Sequence, residues 1–103
     1  MRVGGTRYDV RMIETFEEAR AAVHREMSPL IGAHDILRVS TEGREDADAF
    51  AVEWGVEQPP FRSIGSPLPG ALTLVDKMTG FVQITARAAE QDRYAAMQRV
   101  SVG

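Results

Sequence analysis

LVDKMTGFVQI, residues 74–84, sets two apolar runs around a short polar break that ends in glycine. The break holds Asp76, Lys77, Met78, Thr79 and Gly80. Aspartate accepts hydrogen bonds from backbone N–H groups just ahead of it, and glycine takes a positive φ without a steric penalty. The stretch therefore predicts a β-hairpin with a type I turn closed by Gly80. Asp76, Lys77 and Thr79 are also residue types that enzymes use, but a turn requires the same types for backbone reasons. We read them as a corner.

Working back from the hairpin, residues 50–57, FAVEWGVE, alternate strictly. Phe50, Val52, Trp54 and Val56 fall on one face of a strand; Ala51, Glu53, Gly55 and Glu57 fall on the other. Ile36, Leu37 and Val39 suggest a preceding strand, antiparallel to it. The polar stretch TEGREDADA between them, residues 41–49, reads as an exposed connection. Residues 57–70 carry four of the five prolines, a density that no regular helix or central strand survives. The same stretch carries Phe61, Ile64 and Leu68, and so reads as an ordered loop lying across the surface.

Near the N-terminus, Thr15 is followed three residues later by Glu18, the spacing of a capping box. Phe16, Ala19, Val23, Met27 and Leu30, with Ala22 and Ile31 beside them, recur at steps of three and four. They predict an amphipathic helix of about four turns. Pro29 shortens or bends its end, and Gly32 fits a left-handed residue just beyond. Residues 1–7 read as frayed, and Tyr8, Val10 and Met12 permit a short first strand. Residues 88–100, with Tyr94, Met97 and Val100, suit a second short helix. The expectation is one α+β domain over residues 1–103. An N-terminal amphipathic helix and a short C-terminal helix pack on one face of a three- or four-stranded antiparallel sheet.

Composition narrows the function classes. There is no cysteine, which removes disulfides, thiol catalysis and cysteine-ligated zinc, and fits a reducing cytoplasm. No apolar run is long enough to span a membrane, and residues 1–12 lack the pattern of a secretion signal. The net charge is −3 and Lys77 is the only lysine, so no basic tract offers itself to nucleic acid. His24 and His34 have no metal-ligand spacing, no serine sits in a nucleophile elbow, and Gly65 and Gly70 form no phosphate loop. The expectation is a non-enzymatic protein without cofactor or metal.

Two features exceed a structural reading. Glu42, Glu45, Asp46, Asp48, Glu53 and Glu57 form an acidic cluster, in which Glu45, Asp46 and Asp48 read as solvated carboxylates, a setting that keeps acidity ordinary. The rigid loop that follows carries Phe61 and Arg62. Charge that steers, an aromatic that anchors and prolines that limit ordering cost suit a protein-binding face. These eight residues are the expected partner contacts. Two alternatives stand beside this: a small-molecule or enzymatic site in a pocket near Trp54, Arg62 and His34, and a subunit that self-associates, as a homodimer for example, through a strand edge.

The helix FEEARAAVHREM, the strand FAVEWGV and the hairpin LTLVDKMTGFV together resemble the small bacterial YrhB-like domain, a group placed among immunity proteins of polymorphic toxin systems. The hairpin pattern falls on Leu74, Val75, Asp76, Lys77, Thr79, Gly80 and Val82, and the resemblance spans about residues 15–86. It implies a non-enzymatic cytoplasmic protein that binds and neutralises a cognate toxin, or a small holding chaperone. No catalytic residue carries over.

Overall fold

The helix begins where the sequence predicts. In the computed structural model, which describes residues 12–58, 62–63 and 70–102, the Thr15 hydroxyl accepts from the Glu18 N–H at 3.1 Å. The Glu18 carboxylate accepts from the Thr15 N–H at 3.2 Å and from the Glu14 N–H at 2.7 Å. Orphan donors at both sides of the first turn are thus satisfied. Helix α1 spans Phe16–Met27 and buries Phe16, Ala19, Ala22, Val23 and Met27. It is shorter than expected. The ring of Pro29 cannot continue an α-helix, and Ser28–Leu30 form a 3₁₀ turn instead. Leu30 is therefore exposed rather than on the apolar stripe. Gly32 is not left-handed; among the described residues only Gly70 (φ 80°) and Gly80 (φ 76°) are.

Six strands follow: β1 (Ile36–Glu45), β2 (Ala49–Gln58), β3 (Arg62–Ser63), β4 (Ala71–Asp76), β5 (Val82–Ala86) and β6 (Gln98–Ser101). Five of them lie in the order β5-β4-β2-β1-β6, with the two-residue β3 paired to the end of β2. All pairings are antiparallel. A 3₁₀ turn (Arg87–Glu90) leads into the short helix α2 (Gln91–Ala96). The α+β class and the antiparallel sheet with N- and C-terminal helices are as the sequence predicts.

Three expectations change. First, β1 does not stop near Val39 but runs to Glu45, through half of the presumed connection. It does so by bulging: Val39 faces Trp54, the next pair is Gly43 with Val52, and residues 40–42 face only Glu53. The carbonyls turned out of the ladder find a donor on α1, where Arg20 donates to Ser40 O at 2.8 Å and to Val39 O at 2.9 Å. Gly43 lies against the Phe16 ring, and a Cβ there would come within 2.7 Å of it. The true connection is only residues 46–48, closed by the Asp46 carboxylate accepting from the N–H groups of Asp48 and Ala49, each at 2.9 Å.

Second, the C-terminal segment is helix and then strand. Met97 is buried, and β6, containing Val100, pairs with residues 42–45 of β1. Third, the helices cover opposite sheet faces. Phe50, Val52 and Val75 meet α1, with Trp54 packed at the margin. Ala49, Ala51, Leu72 and Leu74 meet Met97 and Tyr94. The small residues at 49 and 51 leave room for those two larger side chains. Residues 1–11 and 64–69, Phe61 and the Pro59–Pro60 pair lie outside the described residues, and with them the first-strand, frayed-terminus and most of the proline-loop readings. Arg62 lies in β3, opposite Gln58.

Candidate functional site

The hairpin of β4 and β5 is built as its sequence predicts. The Asp76 carboxylate accepts from the N–H groups of Met78 (2.8 Å) and Thr79 (3.0 Å), and Gly80 N–H donates to Asp76 O at 2.8 Å. The corner is held on both sides by backbone bonds. Ile13 N–H donates to Lys77 O at 2.7 Å, and Lys77 N–H donates to Asp48 O at 2.8 Å. The start of α1, the β1–β2 turn and the β4–β5 turn thus meet at one end of the molecule.

Apolar side chains are exposed at this end. Among the described residues six large hydrophobic side chains are exposed, and Met78, Phe81 and Ile84 come from this one hairpin. Met12, the neighbour of Ile13, is a fourth. Phe81 and Met78 are about two-thirds exposed, at 66% and 65%. Residues 81–86, FVQITA, carry no charge, although edge strands usually bear one to discourage pairing. Exposed Glu14, Glu17 and Asp48 lie on the adjoining segments.

The eight sequence-predicted contact residues are not one patch. Glu45 is tied to the Lys77 ammonium at 2.8 Å, and that ammonium also lies 4.6 Å from the centre of the Phe50 ring. Asp46 is half-buried and paired with Arg93 Nε at 2.7 Å. It is not the solvated carboxylate of ordinary acidity that the sequence suggests. The hydrogen bond from Arg93, helped by the N–H groups of Asp48 and Ala49, holds it at about 2, below the ordinary 3.8, against the opposing effect of burial. The same pairing raises Arg93. Glu57 pairs with Arg38 at 2.8 Å. Glu53 accepts from the Tyr94 hydroxyl at 3.1 Å and lies 4.0 Å from Arg87. Glu42 is exposed at the bulge. Of the cluster, only Asp48 is both exposed and at the hairpin corner without an ion pair among the described residues. Residues close in sequence are scattered because β1 and β2 alternate faces and run away from their shared turn.

On the face covered by α2, arginines tie the helix to the sheet. The guanidinium groups of Arg44 and Arg87 lie 4.4 and 4.6 Å from the centre of the Tyr94 ring, and Arg44 also donates to Tyr94 O at 2.9 Å. Beside this stack lies a cleft of about 380 Å³ near Trp54. The β2–β4 pairing ends after Ala51 and Leu74, and the cleft lies alongside the residues beyond that point. Arg38, Glu53 and Arg87 line it together with Trp54 and Thr73; His34 does not. The indole N–H donates to the Thr73 hydroxyl at 2.9 Å.

Sequence reasoning missed Met78, Phe81 and Ile84 as surface. Residues 81–85 read as a strand, but nothing local says that this strand stands at the edge of the sheet. It also missed Arg87 and Tyr94, which meet Glu53 from 34 and 41 residues away. Among the described residues no group of three or more metal-ligating side chains comes together, and no helix is long and apolar enough to cross a membrane. Compared with known proteins, the chain matches no family model, no curated protein sequence and no solved structure.

Proposed function

We propose that the protein is a non-catalytic binding protein of the immunity, antitoxin-like kind that its sequence resembles, and that it captures a basic protein partner at the hairpin corner. The observation that carries this reading is the gathering of exposed Met78, Phe81 and Ile84 on one hairpin whose edge strand is uncharged, with Met12 beside it. Exposed apolar side chains scattered singly are ordinary; several on one element support an interaction surface. Asp48 and Glu14 adjoin it and carry negative charge that complements a basic partner. The aromatic anchor is then Phe81, and Asp48 is kept from the residues the sequence nominated. The ion pairs of Glu45 with Lys77 and of Asp46 with Arg93 hold the corner in shape, which limits the ordering cost of binding.

The test is direct binding between the purified protein and the product of the adjacent gene, preferably a multidomain toxin, measured by calorimetry. The expected result is a stoichiometric complex at or below micromolar concentration that Phe81→Asp weakens at least tenfold. No complex at that concentration, or a complex indifferent to Phe81→Asp, removes this reading.

A further inference from the structure

We infer that the cleft beside Trp54 is a second, independent site, one that takes a small aromatic carboxylate. Val39, Val52, Leu72 and the Trp54 indole give it an apolar wall, and the polar side of its lining includes Thr73, Arg38, Arg87 and the Glu53 carboxylate. Its volume of about 380 Å³ falls within the range of small-molecule pockets, which combine apolar walls with a few placed polar groups.

Among the described residues, two of the groups at this cleft have donor capacity left over. Thr73 is 95% buried, since only 5% of its surface is accessible. Its oxygen accepts the indole N–H, and among the described residues its own O–H has no acceptor. A buried hydroxyl usually finds a partner for its proton, and one without is an unmet donor. Arg87 is the other. Its guanidinium carbon lies over the Tyr94 ring, and its carboxylate neighbour Glu53 is 4.0 Å away, too far for a hydrogen bond. A guanidinium stacked in this way keeps its N–H edge for a planar carboxylate. Arg38, in contrast, directs Nε and Nη2 to Glu57 and forms a rim. An aromatic ring against Trp54 and Leu72, with its carboxylate on Arg87 and Thr73, satisfies both donors and the apolar wall together. A simple inorganic anion would leave the wall bare. A neutral ring would leave the Arg87 N–H groups without a carboxylate at hydrogen-bond distance among the described residues.

Trp54 is the only tryptophan, so its indole N–H gives one unambiguous signal in an amide-correlation spectrum. The probe is 2-naphthoate, titrated into the intact chain, with neutral 2-naphthamide as comparison. The expected result is a saturable shift of the Trp54 indole and of the Gly55, Leu72 and Thr73 amides, at least tenfold weaker for 2-naphthamide. Arg87→Gln is expected to abolish that preference for the charged probe. Shifts that do not saturate, shifts centred on the hairpin corner, or equal affinity for the two probes overturn the inference. The probe comparison needs no variant, so it stands even where Arg87→Gln unsettles the Tyr94 stack. Its outcome is also separate from the partner titration, which reads Phe81.

Discussion

At the scale of single residues, small groups with no chemistry of their own govern much of the architecture. Gly43 lets Phe16 of α1 lie flat against the bulge of β1, where any Cβ would strike the ring and the Ala51 carbonyl. Gly43→Ala is expected to cost about 1–3 kcal/mol, the usual penalty for overpacking, and to lower the melting temperature by several degrees in a calorimetric scan. An unchanged melting temperature would mean that α1 does not sit where we describe it. Asp46 is a residue whose charge couples to folding. Its folded value, about 2, lies below the ordinary 3.8, so ionisation favours the folded state. That contribution is complete above the ordinary value and is lost as pH falls from about 4 through about 2. For a pair that is partly exposed to solvent it amounts to something on the order of 1 kcal/mol. Asn at this position keeps the oxygen that caps residues 48 and 49 but loses the charge. Asp46→Asn is therefore expected to flatten the acid limb of stability, followed by circular dichroism in denaturant at pH 4, 3 and 2. An acid limb identical to that of the wild type would count against the Arg93 pairing.

At the scale of elements, what the sequence reveals depends on how far away each cause lies. The start of α1 is legible because Thr15 and Glu18 sit three residues apart and their bonds are local. The β4–β5 corner is legible for the same reason, with Asp76 and Gly80 enforcing it within one turn. β2 declares itself through its alternation. The second half of β1 hides because an arginine on α1 holds the carbonyls of Val39 and Ser40 at its bulge and a C-terminal strand pairs with residues 42–45, neither of them near in sequence. β6 hides because four residues with one half-buried valine carry too little pattern to be told from the end of a helix. Cross-chain pairs such as Arg93 with Asp46 are invisible without the fold. The surface we propose for the partner is legible in the sequence only as chemistry, acid beside an aromatic; our proposal takes Phe81 as that aromatic, while Phe61 lies outside the described residues. Met97 tests the C-terminal arrangement, because it alone among the described residues of that segment is buried, in one cluster with Leu72 and Leu74. Met97→Ala is expected to cost about 2–5 kcal/mol and to speed amide exchange in α2 and β6 ahead of β4 and β5. Uniform acceleration across the sheet would contradict the view that these two elements are docked through it.

At the scale of the molecule, the two faces and the two ends of the sheet are used differently. α1 closes one face and the Tyr94 stack closes part of the other; among the described residues the hairpin corner and the cleft beside Trp54 are left open. A net charge of −3 with Glu14 and Asp48 beside the corner suits encounter with a basic partner. Reversing both charges, Glu14→Lys with Asp48→Lys, is expected to slow association severalfold at low ionic strength, with the difference vanishing at high salt where the Debye length shortens. Stopped-flow mixing across a salt series reads this, and a salt-independent rate would show that apolar contact alone guides docking. The most direct measurement is the calorimetric titration of the chain with its neighbouring-gene product, run in parallel for wild type and Phe81→Asp. The account requires one-to-one binding at micromolar concentration or tighter, weakened at least tenfold by the substitution; equal affinities for the two proteins, or no heat of binding for either, would contradict it.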